Sequence, residues 1–400
     1  MTAVAERLSP WRFVVVFGVV AMLADMVYEG ARSVAGPFLG TLGASALVVG
    51  LVTGAGEAAA LVLRLASGPA VDRLGRPWAW TIAGYALTVA AVPLLAFAGP
   101  LWTAAALIIA ERTGKAVRSP AKDSLLAGAG SGLGRGRAFA VHEALDQAGA
   151  FAGPLLIAAV VAAGGGYRWG FAALVVPGVA VLALLAWLAR RVPDPTVYEA
   201  REPAPAGSSG ATRLPRRFWA YAAFTAVTMT GYATFGLLGY HLAAKHLVPA
   251  AAVPLVYALA MAVDALAALA VGPLYDRYGL RVLVALPVLA ALVPLLGFAA
   301  SVPAVLAGAV AWGAAMGIQE SIMRAAVADL VPAARRGTAY GVFGAVYGLA
   351  WFAGGTALGA LYEWSVPGTA VVVGGVQVVA LVALLFVYLP GSGRTARIGG

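Results

Sequence analysis

Four hundred residues that are 62% hydrophobic and only 11% charged, with a mean hydropathy of +0.89, exclude a soluble globule, whose surface needs far more charge to stay in water. The chain reads as an all-α polytopic membrane protein, and its 50 glycines and 23 prolines suit membrane helices that approach closely and kink. The absence of cysteine excludes disulfides, thiolate metal sites and cysteine nucleophiles, and the net charge of +10 is a matter of membrane topology rather than of nucleic acid.

At about 20 apolar residues per span, the first predicted helix covers 12–38. It follows Arg7 and Arg12, no small-residue cleavage site ends it, and it is read as retained. It carries Asp25, Glu29 and Arg32 on one face, at i, i+4 and i+7, with Tyr28 beside them as a candidate cavity residue. Asp25 lies about 13 residues from the helix start, roughly 20 Å along the axis and near the bilayer centre. An ionisable side chain there costs roughly 2.5–3.5 kcal/mol, so each is expected to face the bundle interior with a partner or a function.

The second predicted helix, 45–67, adds Glu57 near mid-membrane and Arg64 two turns below it on the same face. Two readings stand for these groups: a proton relay with alternating exposure, or buried ion pairs of Glu29 with Arg32 and of Glu57 with Arg64. The sequence GPAVDRLGRP at 68–77 then leads to helices at 77–98 and 101–120. The latter holds Glu111, Lys115, Arg118 and Lys122 as a continuous polar stripe, with Arg112 and Asp123 alongside; such a stripe must face the cavity or packed helices. The glycine-rich stretch 130–136 has no strand before it and no Lys-Ser or Lys-Thr after it, and reads as a connector.

The fifth helix, 137–163, offers His142, Glu143, Asp146 and Gln147 in its first turns, where His142 and Asp146 are neighbours able to share a proton, and then Gly149, Gly153 and Pro154. A sixth helix at 168–190 precedes a stretch rich in Pro, Gly, Ser and charge. The expected organisation is an N-terminal six-helix bundle at 1–190, a cytoplasmic linker at 191–216 and a C-terminal six-helix bundle at 217–400.

Six more helices are expected at 217–242, 249–271, 281–300, 302–326, 337–362 and 367–389. Their interior charges are Asp264, Glu320 and Arg324, and the candidate cavity face is aromatic: Tyr232, Phe235, Tyr240, Tyr257, Trp312, Tyr347 and Trp351. His241 and His246 are expected to be solvated at the outer mouth. This half repeats the first at a near-constant spacing of about 200 residues, the pattern of a duplicated membrane bundle. GPLYDRYGLR at 272–281 repeats the 68–77 sequence, the 337 region repeats the 136 region, and Arg324 with Asp329 repeats Arg118 with Asp123.

These residues identify a resemblance. Gly68, Asp72, Arg73, Gly75 and Arg76 match the Gly-x-x-x-Asp-Arg-x-Gly-Arg signature of major facilitator superfamily transporters, and Gly272, Asp276, Arg277 and Gly279 match it again, with Arg281 displaced by one. Gly149, Gly153 and Pro154 are similar to the Gly-Pro motif of that superfamily's drug:proton antiporters, and 111–123 and 142–147 resemble a bacterial branch of efflux-type members. The resemblance implies twelve helices in two pseudo-symmetric bundles, alternating access, and a gating role for Asp72 and Arg73. By charge and dipole, Asp72 is expected to meet the start of the eleventh helix behind Arg335 and Arg336, and Asp276 the fifth behind Arg135 and Arg137. The repeated Arg118, Asp123, Arg324 and Asp329 suit a symmetric gate.

Most of the arginines and lysines fall in the termini and in loops after even-numbered helices, whereas the opposite loops hold Arg168 and Lys245. Both termini are therefore expected in the cytoplasm, the chain crossing the inner membrane many times. The function expected is proton-coupled export of a small amphipathic molecule by a monomer, with proton-coupling candidates Asp25, Glu29, Arg32, Glu57, Arg64, Glu111, Arg112, His142, Glu143 and Asp146. The alternatives are an importer or uniporter of a polar metabolite or ion, and, remotely, a membrane-embedded enzyme or sensor. Small-molecule substrate, protons and lipid are the expected partners; no cofactor, metal or nucleic acid is.

Overall fold

A computed structural model describes residues 8–130, 135–193, 213–332 and 335–388. Among them every regular element is helical. In chain order these are α1 (Pro10–Thr41), α2 (Ala46–Val62), α3 (Arg64–Leu74), α4 (Pro77–Leu94, ending in a 3-10 turn), α5 (Leu101–Gly130), α6 (Arg135–Ala162), α7 (Gly166–Ala173) and α8 (Val175–Arg191). The second half contributes α9 (Arg216–Thr230), α10 (Phe235–Ala244), α11 (Ala252–Tyr278), α12 (Ala285–Gly297, entered through the 3-10 turn Gly279–Val284), α13 (Val302–Leu330), α14 (Arg336–Trp364) and α15 (Val366–Tyr388). The pairs α2–α3, α7–α8 and α9–α10 each form one bent passage, so fifteen helices make twelve passages.

Nine helical stretches among the described residues are long and apolar enough to cross a membrane, and one of them, Ala252–Gly297, holds two passages. Two passages fail that criterion for physical reasons. The helix α5 carries Glu111, Arg112, Lys115, Arg118, Lys122 and Asp123, and the seventh passage is interrupted at residues 231–234. Most of the linker expected at 191–216 and of the 130–136 connector lies outside the described residues.

Apolar burial divides by half. One core runs from Phe13 to Val192 and the other is built from Phe218 to Val387, with Ala46 and Ala150 joining the second from across the interface. The helix α1 is the spine of the first: Ser9 caps it by accepting from the Arg12 N–H at 3.4 Å, Pro10 starts it, and α6 packs along it. That packing needs glycine, because a Cβ at Gly149 would strike the Met22 carbonyl and one at Gly153 the Met26 carbonyl. The Gly149–Gly153–Pro154 motif thus works here as a close helix contact. In the second half Gly313 and Gly317 seat α13 on the α11 backbone at Ala260 and Asp264 in the same way.

Both signature loops turn on a glycine of positive φ. Gly75 (φ 57°, ψ 33°) ends α3 in the left-handed helical conformation, and Gly279 (φ 60°, ψ −145°) ends α11 in a different positive-φ conformation; a side chain disfavours both, so the repeated glycine is explained by backbone geometry at both sites.

At the end remote from the termini the halves meet closely. A Cβ at Gly36 of α1 would fall on the Gly236 carbonyl of α10, and one at Gly50 of α2 on the Gly355 carbonyl of α14. Thr53 Oγ1 lies 2.8 Å from Thr234 Oγ1, and the Leu47 N–H donates to Glu363 Oε1 at 2.8 Å. At the other end the halves part around a cavity of about 900 Å³ that reaches from Arg32 and Glu57 down to Asp72 of α3 and Gly337 and Thr338 of α14. The molecule is closed on one side and open on the side of its termini.

Candidate functional site

The head of the cavity is an ion cluster. Arg32 on α1 donates to Glu57 Oε1 on α2 at 2.8 Å and lies 3.4 Å from Glu29 Oε1, one turn back on its own helix. Arg112 on α5 lies 3.5 Å from the same Glu57 oxygen and 3.3 Å from Glu111. The other Glu29 oxygen accepts a short hydrogen bond from the Tyr257 hydroxyl of α11, and the Arg32 guanidinium sits 5.9 Å from the Trp312 ring centre on α13. One cluster therefore joins three helices of the first half to two of the second, and cations offset the carboxylates that desolvation would otherwise make costly.

A second layer lies beside it. Tyr28 donates to Asp25 Oδ2 at 3.0 Å and accepts from Lys115 Nζ at 3.0 Å, while Lys115, Arg112 and Arg118 stand 4.4, 5.3 and 5.5 Å from the Tyr28 ring centre. Asp25 is 6% exposed and makes no ion pair within 4 Å among the described residues. Above the cluster a chamber of about 40 Å³, large enough for ordered water, is lined by Tyr28, Thr53, Glu111 and Phe235.

Several expected contacts are rearranged. Spacing pairs Glu57 with Arg64, but the chain turns at Leu63, between α2 and α3, and redirects Arg64 to donate to Ser119 Oγ at 3.1 Å. Arg32 and Arg112 take its place. Spacing also lets His142 share a proton with Asp146; instead His142 is buried, accepts from Lys122 Nζ at 3.0 Å and stacks on Phe17, and Lys122 lies 4.0 Å from Asp146. Glu143 is exposed. His241 is 1% exposed rather than solvated, because α10 packs it between the Tyr362 hydroxyl at 2.8 Å and the Ala299 carbonyl at 3.1 Å.

The repeated arginines have unequal surroundings. Arg118 is buried, donates to Thr88 Oγ1 at 2.9 Å and covers the Tyr85 ring at 4.5 Å, tying α5 to α4. Arg324 instead lines the cavity. Asp123 is exposed, whereas Asp329 accepts from the Tyr275 hydroxyl at 2.7 Å. Asp72, Arg73, Arg76, Asp276 and Arg277 are exposed at the open side, and neither Asp72 nor Asp276 has a cation within 4 Å among the described residues. Gly68 faces the cavity, and a Cβ there would meet open space.

Of the aromatic candidates, Tyr347 and Trp351 line the cavity, and Tyr28 and Phe235 line the small chamber. Tyr232, Tyr257 and Trp312 stand behind, fully buried; Tyr232 donates to the Trp312 carbonyl at 2.8 Å and Trp312 to the Ala233 carbonyl at 2.9 Å. Sequence reading missed Gln319, whose Oε1 accepts from Tyr347 at 2.5 Å while its Nε2, like Trp351 Nε1, is a buried donor with no protein partner. A neutral amide on a long apolar helix carries no periodic signal; only the cavity reveals it.

The Major Facilitator Superfamily sequence model matches residues 15–247 and 222–398. The uncharacterized proteins Rv2265 of Mycobacterium tuberculosis and Mb2288 of Mycobacterium bovis are each 56% identical over 392 residues, covering 97% of this chain and 96% of their own. Among solved structures, a mutant of the nucleoside transporter NupG superposes with a TM-score of 0.76 at 11% identity, covering 94% of this chain and all of that one. A bacterial homologue of the lysosomal transporter Spinster, in an inward-facing and unoccupied conformation, gives 0.67 at 15% identity, covering 94% and 95%. The twelve passages, the doubled signature loops and these matches agree: the chain belongs to the Major Facilitator Superfamily, as a multi-pass secondary transporter working by alternating access and not an enzyme.

Proposed function

We propose that the protein is a proton-coupled exporter of a small amphipathic molecule, a monomer in the cytoplasmic membrane with both termini inside. In this reading the bundles at 1–190 and 217–400 rock about the central cavity, joined by the 191–216 linker, and Asp72, Arg73 and their repeats form the inner gate. The observation that carries it is the cavity: about 900 Å³, open on the side of the termini, with the Glu29–Arg32–Glu57–Arg112 cluster at its head. A carboxylate whose counter-ion is a mobile arginine releases or gains a proton when that arginine turns to another partner. Tyr347 and Trp351 give the cavity wall an aromatic character that suits an apolar face on the substrate.

A second reading, passage of a polar metabolite, is favoured by Arg64 and Arg324, which line the cavity with no carboxylate within 4 Å among the described residues. Proteoliposomes with an imposed pH gradient and an internal pH dye discriminate the two. Export is supported by a drug or dye that dissipates the gradient with wild-type protein and fails to do so with Asp25→Asn. Uptake of polar anions without proton movement supports the other reading, and normal proton coupling by Asp25→Asn removes Asp25 from the mechanism.

A further inference from the structure

The seam between α6 and α11 holds a carboxylate that the ion cluster does not use. Asp264 lies at the middle of α11, is 2% exposed, and has no Lys, Arg or His within 4 Å among the described residues. Its one polar contact among the described residues is across the seam: Gln147 Nε2 of α6 donates to Asp264 Oδ2 at 3.4 Å. Two buried atoms remain without a partner at this place, Asp264 Oδ1 and Gln147 Oε1. Both are acceptors if the carboxylate is ionised, so neither can then satisfy the other.

One proton resolves this. A hydrogen on Asp264 Oδ1 donates to Gln147 Oε1 while Gln147 Nε2 donates to Oδ2, and the two groups close an acid–amide ring in which every polar atom is paired. The charged groups that act on Asp264 agree in sign: Glu320 of α13, Glu29 of α1 and Glu143 of α6 are all acidic, Glu29 being already held by Arg32 and Tyr257, and α10 presents no charge to it. Among the described residues no Lys, Arg or His lies within 4 Å to compensate an ionised Asp264, and the Gln147 amide is a weak substitute for a counter-ion, so burial disfavours the charged form.

Each partner is also fixed within its own half. Gly317 of α13 packs against the Asp264 carbonyl, and Gly149, two residues beyond Gln147, packs against the Met22 carbonyl of α1. The pair therefore reads the relation between the two halves rather than the motion of either side chain.

We propose that Asp264 is a proton-binding site of this protein and that, with Gln147, it forms a latch between the halves that is closed when protonated and open when ionised. The inference rests on the proton-coupled reading and adds to it a carrier in the second half, where that reading had placed protons in the first. When α6 parts from α11, water reaches Oδ1, the O–H bond breaks, the proton leaves to solvent, and the resulting carboxylate no longer closes the ring.

Infrared difference spectroscopy of the purified full chain in lipid tests the site without any substrate. Wild type minus Asp264→Asn at neutral pH should show the C=O band of one carboxylic acid, and Gln147→Leu should move that band to higher wavenumber by removing its hydrogen-bond donor. No acid band in the difference spectrum would overturn protonation, and a band unmoved by Gln147→Leu would overturn the latch. Should Asp264→Asn not fold, the Gln147→Leu shift alone decides. The same preparations in liposomes separate the two ideas: an acid band that responds to Gln147→Leu in a protein that moves no protons leaves the site standing and refutes coupled transport. Proton-coupled transport in wild type without the band refutes the site alone.

Discussion

Substituting Glu57 by Gln probes the head of the cavity. Its Oε1 takes a 2.8 Å hydrogen bond from Arg32 and has Arg112 at 3.5 Å, with both Glu57 and Arg32 only 12% exposed. A hydrogen bond to a charged group contributes about 1.5–3 kcal/mol, and stripping one partner from a buried pair costs about 3–5 kcal/mol. Glutamine keeps an acceptor oxygen, Arg32 retains Glu29 at 3.4 Å, and Arg112 retains Glu111 at 3.3 Å. The loss should therefore sit at the lower end, about 2 kcal/mol. Arg32→Gln should cost more, since it leaves Glu29 with no cation within 4 Å among the described residues and Glu57 with Arg112 alone, and the double variant should be less damaging than the sum by about 1–2 kcal/mol. Reversible unfolding by detergent titration in mixed micelles measures all four corners of the cycle. Additivity within about 0.5 kcal/mol would show that the two charges do not act on each other and would refute the cluster as described.

Gly36→Val should wedge α1 from α10, since the new Cβ falls on the Gly236 carbonyl, and overpacking of this kind costs about 1–3 kcal/mol against the closed seam. A Thr53→Cys reporter in this cysteine-free chain should then react faster with a water-soluble maleimide from the closed side, and an unchanged rate would refute the seam. Asp72→Asn should alter the stability of the present conformation by no more than about 0.5 kcal/mol, because Asp72 is exposed and unpaired, yet should weaken closure of the open mouth. Faster labelling of a Thr338→Cys reporter in the presence of Asp72→Asn is the expected outcome; wild-type labelling would sink the gating role.

The passages, their number and the repeated turn glycines were legible in the sequence because each is local: apolar run length sets a helix, and a positive φ after the helix demands glycine at 75 and 279. Partner choice was less legible. The i, i+3 contact of Glu29 with Arg32 was within reach of spacing, but the exchange of Arg64 for Arg32 and Arg112 at Glu57 depends on the turn at Leu63 and on the depth to which α5 sinks beside α2. His241 misled for a related reason: a histidine near a helix end reads as wet until Tyr362, 121 residues away, is known to cover it. Gln147 with Asp264 is the extreme case, since Asp264 has no complementary charge on its own helix at helical spacing and the pair exists only through the meeting of the halves.

Duplication with divergence explains why charge and aromaticity are unevenly shared. In the first half Arg118 is spent on Thr88 and Tyr85, which stiffens α4 against α5, whereas its counterpart Arg324 is left facing the cavity. The first half in turn puts four carboxylates, Asp25, Glu29, Glu57 and Glu111, on the helices at the head of the cavity, and the second half answers with Tyr257 and Trp312. Contacts between the halves are therefore of two kinds. At the closed end they are chiefly backbone on backbone at Gly36–Gly236 and Gly50–Gly355, short-ranged and lost over small separations, with the Thr53–Thr234 and Leu47–Glu363 hydrogen bonds beside them. At the level of the cluster they are hydrogen bonds and charge–ring contacts, Tyr257 with Glu29 and Arg32 with Trp312, which tolerate sliding and rotation better because their electrostatic part falls off more slowly. A rocking motion that opens the glycine seam while preserving the cluster would pivot at mid-membrane. The small chamber lies just above that level and the 900 Å³ cavity just below it, so one pivot exposes the same charges to either side.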